Sequence, residues 1–109
     1  EGRVAEGRQQ YERSLALSRQ IGDRESETVA LGNLGFALRT EARPAEAKEY
    51  YERALALALE TGGRAHQLTA RMNLGAAWLD LGDLDRARQV LRYEPRHTWG
   101  DELTDQPGT

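Results

Sequence analysis

The sequence contains no cysteine, no long apolar run and no excess of basic residues. The lack of cysteine excludes disulfides and thiolate chemistry and fits a reducing compartment, so we expect a cytoplasmic protein. No stretch approaches the roughly 18 apolar residues of a membrane span, and the start of the chain has no apolar signal region. A net charge of −3 gives no electrostatic reason to expect nucleic-acid binding. We therefore expect neither nucleic acid nor a membrane as a direct partner.

The chain is also poor in groups that support catalysis. Its only histidines are His66 and His97, and neither has the cysteine or carboxylate spacing of a metal site in an apolar setting. The pair Gly62-Gly63 is typical of a turn and is too short for a phosphate-binding loop. The many acidic residues are explained by a solvated helix face. We predict a protein that is not an enzyme, with no catalytic residue, no metal and no cofactor.

What the chain does contain is an internal repeat. The stretch "YERSLALSRQIGDR" at 11–24 returns as "YERALALALETGGR" at 51–64, forty residues later. The same offset pairs Asn33-Leu34-Gly35 with Asn73-Leu74-Gly75. A fixed period of this size is typical of repeat proteins, in which each unit buries its apolar face on its neighbour.

Turn signals divide the chain into five predicted helices. Gly22, Gly62 and Gly82 are suitable residues just past a helix end. Asp23 can cap the following helix, and Pro44 suits a first helical turn. Pro95 biases its predecessor away from helical geometry, so the last helix should end near residue 93. The predicted helices are 4–20, 25–41, 44–60, 65–81 and 84–93, followed by an irregular tail at 94–109.

Small residues recur where two helices should meet. Gly35 and Ala47 lie twelve residues apart across a turn, and so do Gly75 and Ala87. A glycine inside a helix costs about 1 kcal/mol relative to alanine. Its presence at the same place in both units indicates that antiparallel helices approach closely there.

The pattern "NLGFAL…A…YYERAL" resembles the tetratricopeptide repeat. Its characteristic positions correspond here to Leu34-Gly35, Leu38, Ala47, Tyr51 and Ala54, and in the next unit to Leu74-Gly75, Trp78, Gly82-Asp83, Ala87 and Leu91. The period of forty looks like the long-repeat variety seen in kinesin light chain and in bacterial multidomain regulators. HEAT-like repeats have a similar period but would not explain the Leu-Gly and Ala spacing. The resemblance implies an all-α fold of antiparallel helix-turn-helix repeats, stacked as a right-handed α-solenoid of about five helices.

Two positions depart from the family pattern. Ala42-Arg43 stands where the family has Gly-Asp, and we expect this change to matter little. Glu94 replaces an alanine, which puts the full length of the last helix in question.

The register predicts how the units divide. Residues 1–93 form the helical domain, with a half repeat at 3–22 and repeats at 23–62 and 63–93. The chain then begins in mid-repeat, as expected for a fragment of a longer regulatory protein. The half repeat should expose an apolar stripe that includes Val4, Tyr11 and Leu15. We expect a homodimer through this surface, or docking of the tail through Trp99, to cover it.

The resemblance also implies where binding occurs, because the first helices of successive family repeats line a concave groove that holds a peptide. The predicted groove residues are Val29, Asn33, Phe36, Arg39, Thr69, Met72, Asn73 and Ala76. In the family, asparagine at the place of Asn33 and Asn73 often hydrogen-bonds a peptide backbone; a structural bond between repeats is the alternative. Phe36 is predicted either to contact a ligand or to fill the seam between units. Arg39 is most simply a solvated charge.

The favoured function is therefore a non-catalytic scaffold that binds a peptide or partner domain in this groove. The alternative is a structural spacer or self-association unit that uses the exposed repeat ends.

Overall fold

The computed structural model describes residues 2–92, and this part of the chain is made of five α-helices without strands. The helices are α1 (Gly2–Ile21), α2 (Arg24–Thr40), α3 (Pro44–Thr61), α4 (Arg64–Asp80) and α5 (Leu84–Arg92). All five predicted helices are confirmed, and their described ends differ from prediction by no more than two residues. Residue 93 and the tail at 94–109, with Glu94, Trp99 and Leu103, lie outside the described residues.

The helices end at a backbone conformation that recurs every twenty residues. Gly22, Gly62 and Gly82 have φ values of 76°, 81° and 81°, and Ala42 occupies the equivalent place with φ of 62°. This left-handed region suits glycine, whereas an L-residue with a Cβ is strained there by roughly 1–2 kcal/mol. We expected the alanine at position 42 to matter little, but its left-handed conformation means that it strains the backbone where the family has glycine.

The helix starts differ in how well they are capped. The carboxylate of Asp23 accepts hydrogen bonds from the backbone N–H of Ser26 at 3.1 Å and from its hydroxyl at 2.7 Å. Asp83 similarly accepts the backbone N–H of Arg86 at 2.9 Å. Arg43 provides no side-chain cap for α3, which begins with Pro44. The predicted cap at Asp23 is thus confirmed, Asp83 caps α5 in the same way, and α3 relies on proline instead.

Each helix packs on the next in the chain, and α2 also contacts α4. This arrangement is an all-α repeat solenoid. Within the first complete repeat, Gly35 admits the ring of Tyr51: a Cβ at Gly35 would lie 2.7 Å from Cδ1 and 2.9 Å from Cζ of that ring. Gly75 admits Leu91 in the same way, with Cγ at 2.7 Å from the added Cβ. The glycines do serve close helix packing, but the nearest groups belong to Tyr51 and Leu91 rather than to the paired alanines.

The amino-terminal apolar surface differs from the predicted one. Leu15 is buried, in a cluster with Leu31 and Leu34 of α2, and Tyr11 is half-buried against that cluster. Among the described side chains of α1, the large apolar ones that are exposed are Leu17 and Ile21. The prediction for Leu15 was wrong because the contact with α2 covers the helix face that carries it. The side chain of Val4 lies outside the described part.

Candidate functional site

A groove runs between the first helices of the two repeats, α2 and α4. It has a volume of about 410 Å³. Five predicted residues line it: Val29, Asn33, Phe36, Thr69 and Asn73. They come together because residues three or four apart share one face of a helix, and α2 lies beside α4.

The other three predicted residues lie outside the lining of this groove. Met72 is exposed on α4 and Ala76 is half-buried. Arg39 donates from Nε and Nη2 to the Asp80 carboxylate, at 2.5 and 3.3 Å. This ion pair joins the two repeats, so Arg39 acts first as a bridge between α2 and α4 rather than as a solvated charge.

Within the described part of the chain, no protein group occupies the amides of Asn33 and Asn73. Both side chains are half-buried, and neither makes a hydrogen bond to another residue within 2–92. The structure therefore contains no inter-repeat bond from either asparagine in this range. Two amides that border the same groove, one repeat apart, keep their donors and acceptors available.

The apolar side chains beside these amides are exposed rather than packed in the seam. Phe36 is 61% exposed and lines the groove. Leu79 is exposed as well, but it does not line this space. A side chain that filled the seam between units would be buried, so Phe36 does not fill the seam.

Two side-chain contacts join α2 to α4. His66 Nε2 lies 3.3 Å from Glu25 Oε2, and Arg39 forms an ion pair with Asp80. The hydrogen bond to Asp80 raises the pKa of Arg39, so its charge is retained. Burial raises the pKa of the nearby Tyr51 hydroxyl, and the positive charge of Arg39 opposes that effect.

Sequence reasoning missed the place of His66, which was considered only as a metal ligand. It lines the groove with Thr28 and Gly32. One signal was available: Glu25 and His66 are 41 residues apart, and so are Arg39 and Asp80. Side chains that can pair at one repeat length plus one residue indicate contacts between equivalent helices.

Other site types have little support in the described part. Within residues 2–92 no group of three or more histidine, cysteine, aspartate or glutamate side chains is placed to hold a metal ion. In the same range, no helix combines the length and the apolar character that crossing a bilayer requires.

Comparison with known families gives one match. A tetratricopeptide repeat model matches residues 1–60 and again residues 27–92. Neither the comparison with curated proteins nor that with solved structures gave a match.

Proposed function

The chain belongs to the tetratricopeptide repeat family, and from that premise we propose that the groove between α2 and α4 binds a peptide segment of a partner protein. Repeats of this family are generally protein–protein interaction modules. The observation that carries the proposal is the pair of unoccupied amides, Asn33 and Asn73, beside the exposed ring of Phe36. The finer assignment to this groove is our proposal.

The chemistry of the groove fits a polypeptide ligand. A peptide backbone presents both N–H donors and C=O acceptors, and each side-chain amide can satisfy one of either kind. Phe36 supplies exposed apolar surface within the groove. Each amide bond should contribute about 0.5–1.5 kcal/mol net, so the loss of both would weaken binding by about one to two orders of magnitude.

The test uses the full 109-residue chain and a library of labelled peptides. A peptide that binds the parent is titrated against the double variant Asn33→Ala/Asn73→Ala. We expect affinity to fall by about ten- to a hundredfold, while thermal stability stays close to that of the parent because alanine favours a helix more than asparagine does. The matched control is Gln10→Ala/Gln89→Ala, which removes two exposed amides outside the groove.

Two results would contradict the proposal. Unchanged affinity in the asparagine variant would move the binding site off this groove. Lost affinity together with a collapsed melting temperature would mean that the two asparagines stabilise the fold instead of holding a ligand.

The competing proposal is a spacer or self-association unit, in which two copies meet through their amino-terminal ends. The exposure of Leu17 and Ile21 on α1 favours it. Sedimentation of the parent over a hundredfold concentration range should then show a dimer that Leu17→Glu converts to a monomer. A parent that is monomeric throughout this range would exclude self-association.

The wider setting is part of the same hypothesis. We place the module in a cytoplasmic regulatory protein, bacterial in type, that acts as a scaffold without contacting nucleic acid or membrane directly. Sequence composition supports this setting: the chain is rich in arginine, alanine and leucine, and it has no cysteine and a net charge of −3.

A further inference from the structure

The charges in and around the α2/α4 groove restrict the peptides that it can hold. The described residues that line the groove include no arginine, lysine, aspartate or glutamate, and His66 is the one titratable side chain among them. A charged ligand group placed against this lining would lose part of its hydration and would meet no opposite charge, which costs free energy. The part of a peptide that lies in the groove should therefore be uncharged.

The arginine that follows Phe36 on α2 is already engaged. Arg39 donates from Nε and Nη2 to the carboxylate of Asp80 on α4. A ligand carboxylate or phosphoryl group that recruited Arg39 would have to break this pair and leave Asp80 without its cation, which is costly for a partly buried charge. Arg39 is therefore poorly suited to hold the carboxyl terminus of a partner protein in this groove.

A carboxylate beside the groove has the opposite preference. Glu25 Oε2 lies 3.3 Å from Nε2 of His66, a residue that lines the groove. The Glu25 side chain is 79% exposed, and within residues 2–92 it forms no ion pair with arginine or lysine. A histidine balances the charge of a carboxylate only when it is protonated. Glu25 therefore presents a negative charge to a ligand that reaches His66.

We infer that the ligand of the α2/α4 groove is an internal segment of a partner protein, uncharged where it lies in the groove and flanked on one side by a lysine or arginine that pairs with Glu25. This inference rests on the proposed function and deepens it by naming the class of peptide. Glu25 determines specificity in two ways, because it attracts a cation and repels a carboxylate. Ion pairs exposed to solvent are weak, so the preference should be moderate and should decrease with salt.

The experiment starts from a labelled, uncharged peptide that binds the full 109-residue chain. The peptide is made with acetylated and amidated ends, and then with lysine or glutamate added at either end. A further version has a free terminal carboxylate. Anisotropy titrations should show that lysine at one end binds about three- to tenfold more tightly than glutamate at that end. The free carboxylate should weaken binding, and about 1 M salt should remove most of the lysine preference.

Two protein variants assign the preference to Glu25. Glu25→Gln should abolish the lysine preference and leave the affinity for the uncharged peptide unchanged. Glu25→Lys should reverse the preference, although a cation in the first turn of α2 also weakens the helix, so thermal melts accompany both variants. The matched control is Glu49→Gln, which removes an exposed glutamate of α3 outside the groove lining and should leave the preference intact.

Three results would overturn the inference: equal affinity for the lysine and glutamate versions, a lysine preference that persists in Glu25→Gln, or tighter binding of the peptide with a free carboxylate. The variant Asn33→Ala/Asn73→Ala separates these failures from a failure of the proposed function. It should weaken the binding of every version alike. If it does so while the lysine preference is absent, only the present inference is wrong. If it leaves every affinity unchanged, the proposed groove function is wrong and this inference is wrong with it.

Discussion

In both repeats a large side chain of the second helix packs against a glycine of the first helix, but the two side chains differ in how far they are buried. Tyr51 sits against Gly35 and is 0% exposed, whereas Leu91 sits against Gly75 and is 48% exposed. The sequence positions are equivalent, but α4 packs on the first repeat, while no later helix within residues 2–92 covers α5. Burial in a solenoid is thus a property of neighbouring units rather than of one unit alone.

The largest expected difference comes from truncation of these two side chains. Tyr51→Ala should reduce the free energy of unfolding by about 3–5 kcal/mol, because it leaves a cavity in a covered seam. Leu91→Ala should cost only about 1 kcal/mol, since half of its surface already contacts solvent. Urea unfolding followed by circular dichroism measures both values. Equal costs would show that the two seams are packed alike in solution.

A smaller difference should follow when each seam glycine becomes alanine. In Gly35→Ala the added methyl meets the enclosed ring of Tyr51, and we expect a loss of about 1–3 kcal/mol from overpacking. In Gly75→Ala it meets Leu91, which has room to change rotamer, and the higher helix propensity of alanine offsets the contact by about 1 kcal/mol. Thermal melts of both variants test this. A Gly75→Ala variant that is destabilised as much as Gly35→Ala would contradict the asymmetry.

The turns allow a reciprocal pair of alanine and glycine substitutions, because Ala42 and Gly82 occupy equivalent left-handed positions in the two repeats. Ala42→Gly should stabilise the protein by about 0.5–1 kcal/mol through relief of backbone strain. Gly82→Ala should destabilise it by a similar amount for the same reason. Each substitution should shift the melting temperature by several degrees in a domain of this size. Shifts of the same sign in the two variants would rule out backbone conformation as the cause.

The smallest effect on stability should come from an ion pair that only the first repeat has. Glu41 bonds to Arg8, whereas Leu81, at the equivalent place, is apolar and cannot form such a bond. Arg8 donates from Nε to Glu41 at 2.8 Å, and this bond lowers the pKa of the Glu41 carboxyl below its ordinary value of 4.5. A lowered pKa means that the stabilisation is present above 4.5 and is lost as the pH falls through the lower folded-state value. The difference in melting temperature between the parent and Glu41→Gln should therefore shrink as the solution is acidified. A difference that grows in acid would reverse the predicted sign.

Most of the fold could be predicted from the sequence because the signals that begin and end each helix are local. Helix stops at Gly22 and Gly62 follow from backbone conformation, and the start at Asp23 follows from a side chain that bonds the next turn. It identified the groove asparagines because the repeat places them on the same helix face. It did not assign a role to His66, whose partner lies 41 residues away on another helix.

The exposed surface could not be predicted to the same degree. Leu15 and Leu17 are two residues apart in one helix, yet the first is buried and the second is exposed. Composition and periodicity describe both as apolar, and only the direction from which α2 approaches separates them. The groove lining was similarly predictable in part: Phe36 lies in it, while Arg39 is held by Asp80.

The sequence by itself determined the helical class, the repeat period and the positions of the turns, since caps, left-handed residues and apolar spacing act over one or two helical turns. The tertiary structure alone decided which copy of each motif is covered. Tyr51 is enclosed and Leu91 is half-exposed, and Leu57 is buried whereas Leu17, forty residues earlier, borders an open space between α1 and α2. The physical reason is that apolar burial requires a second surface, and whether a neighbouring helix provides one is decided by the packing of the units rather than within the motif.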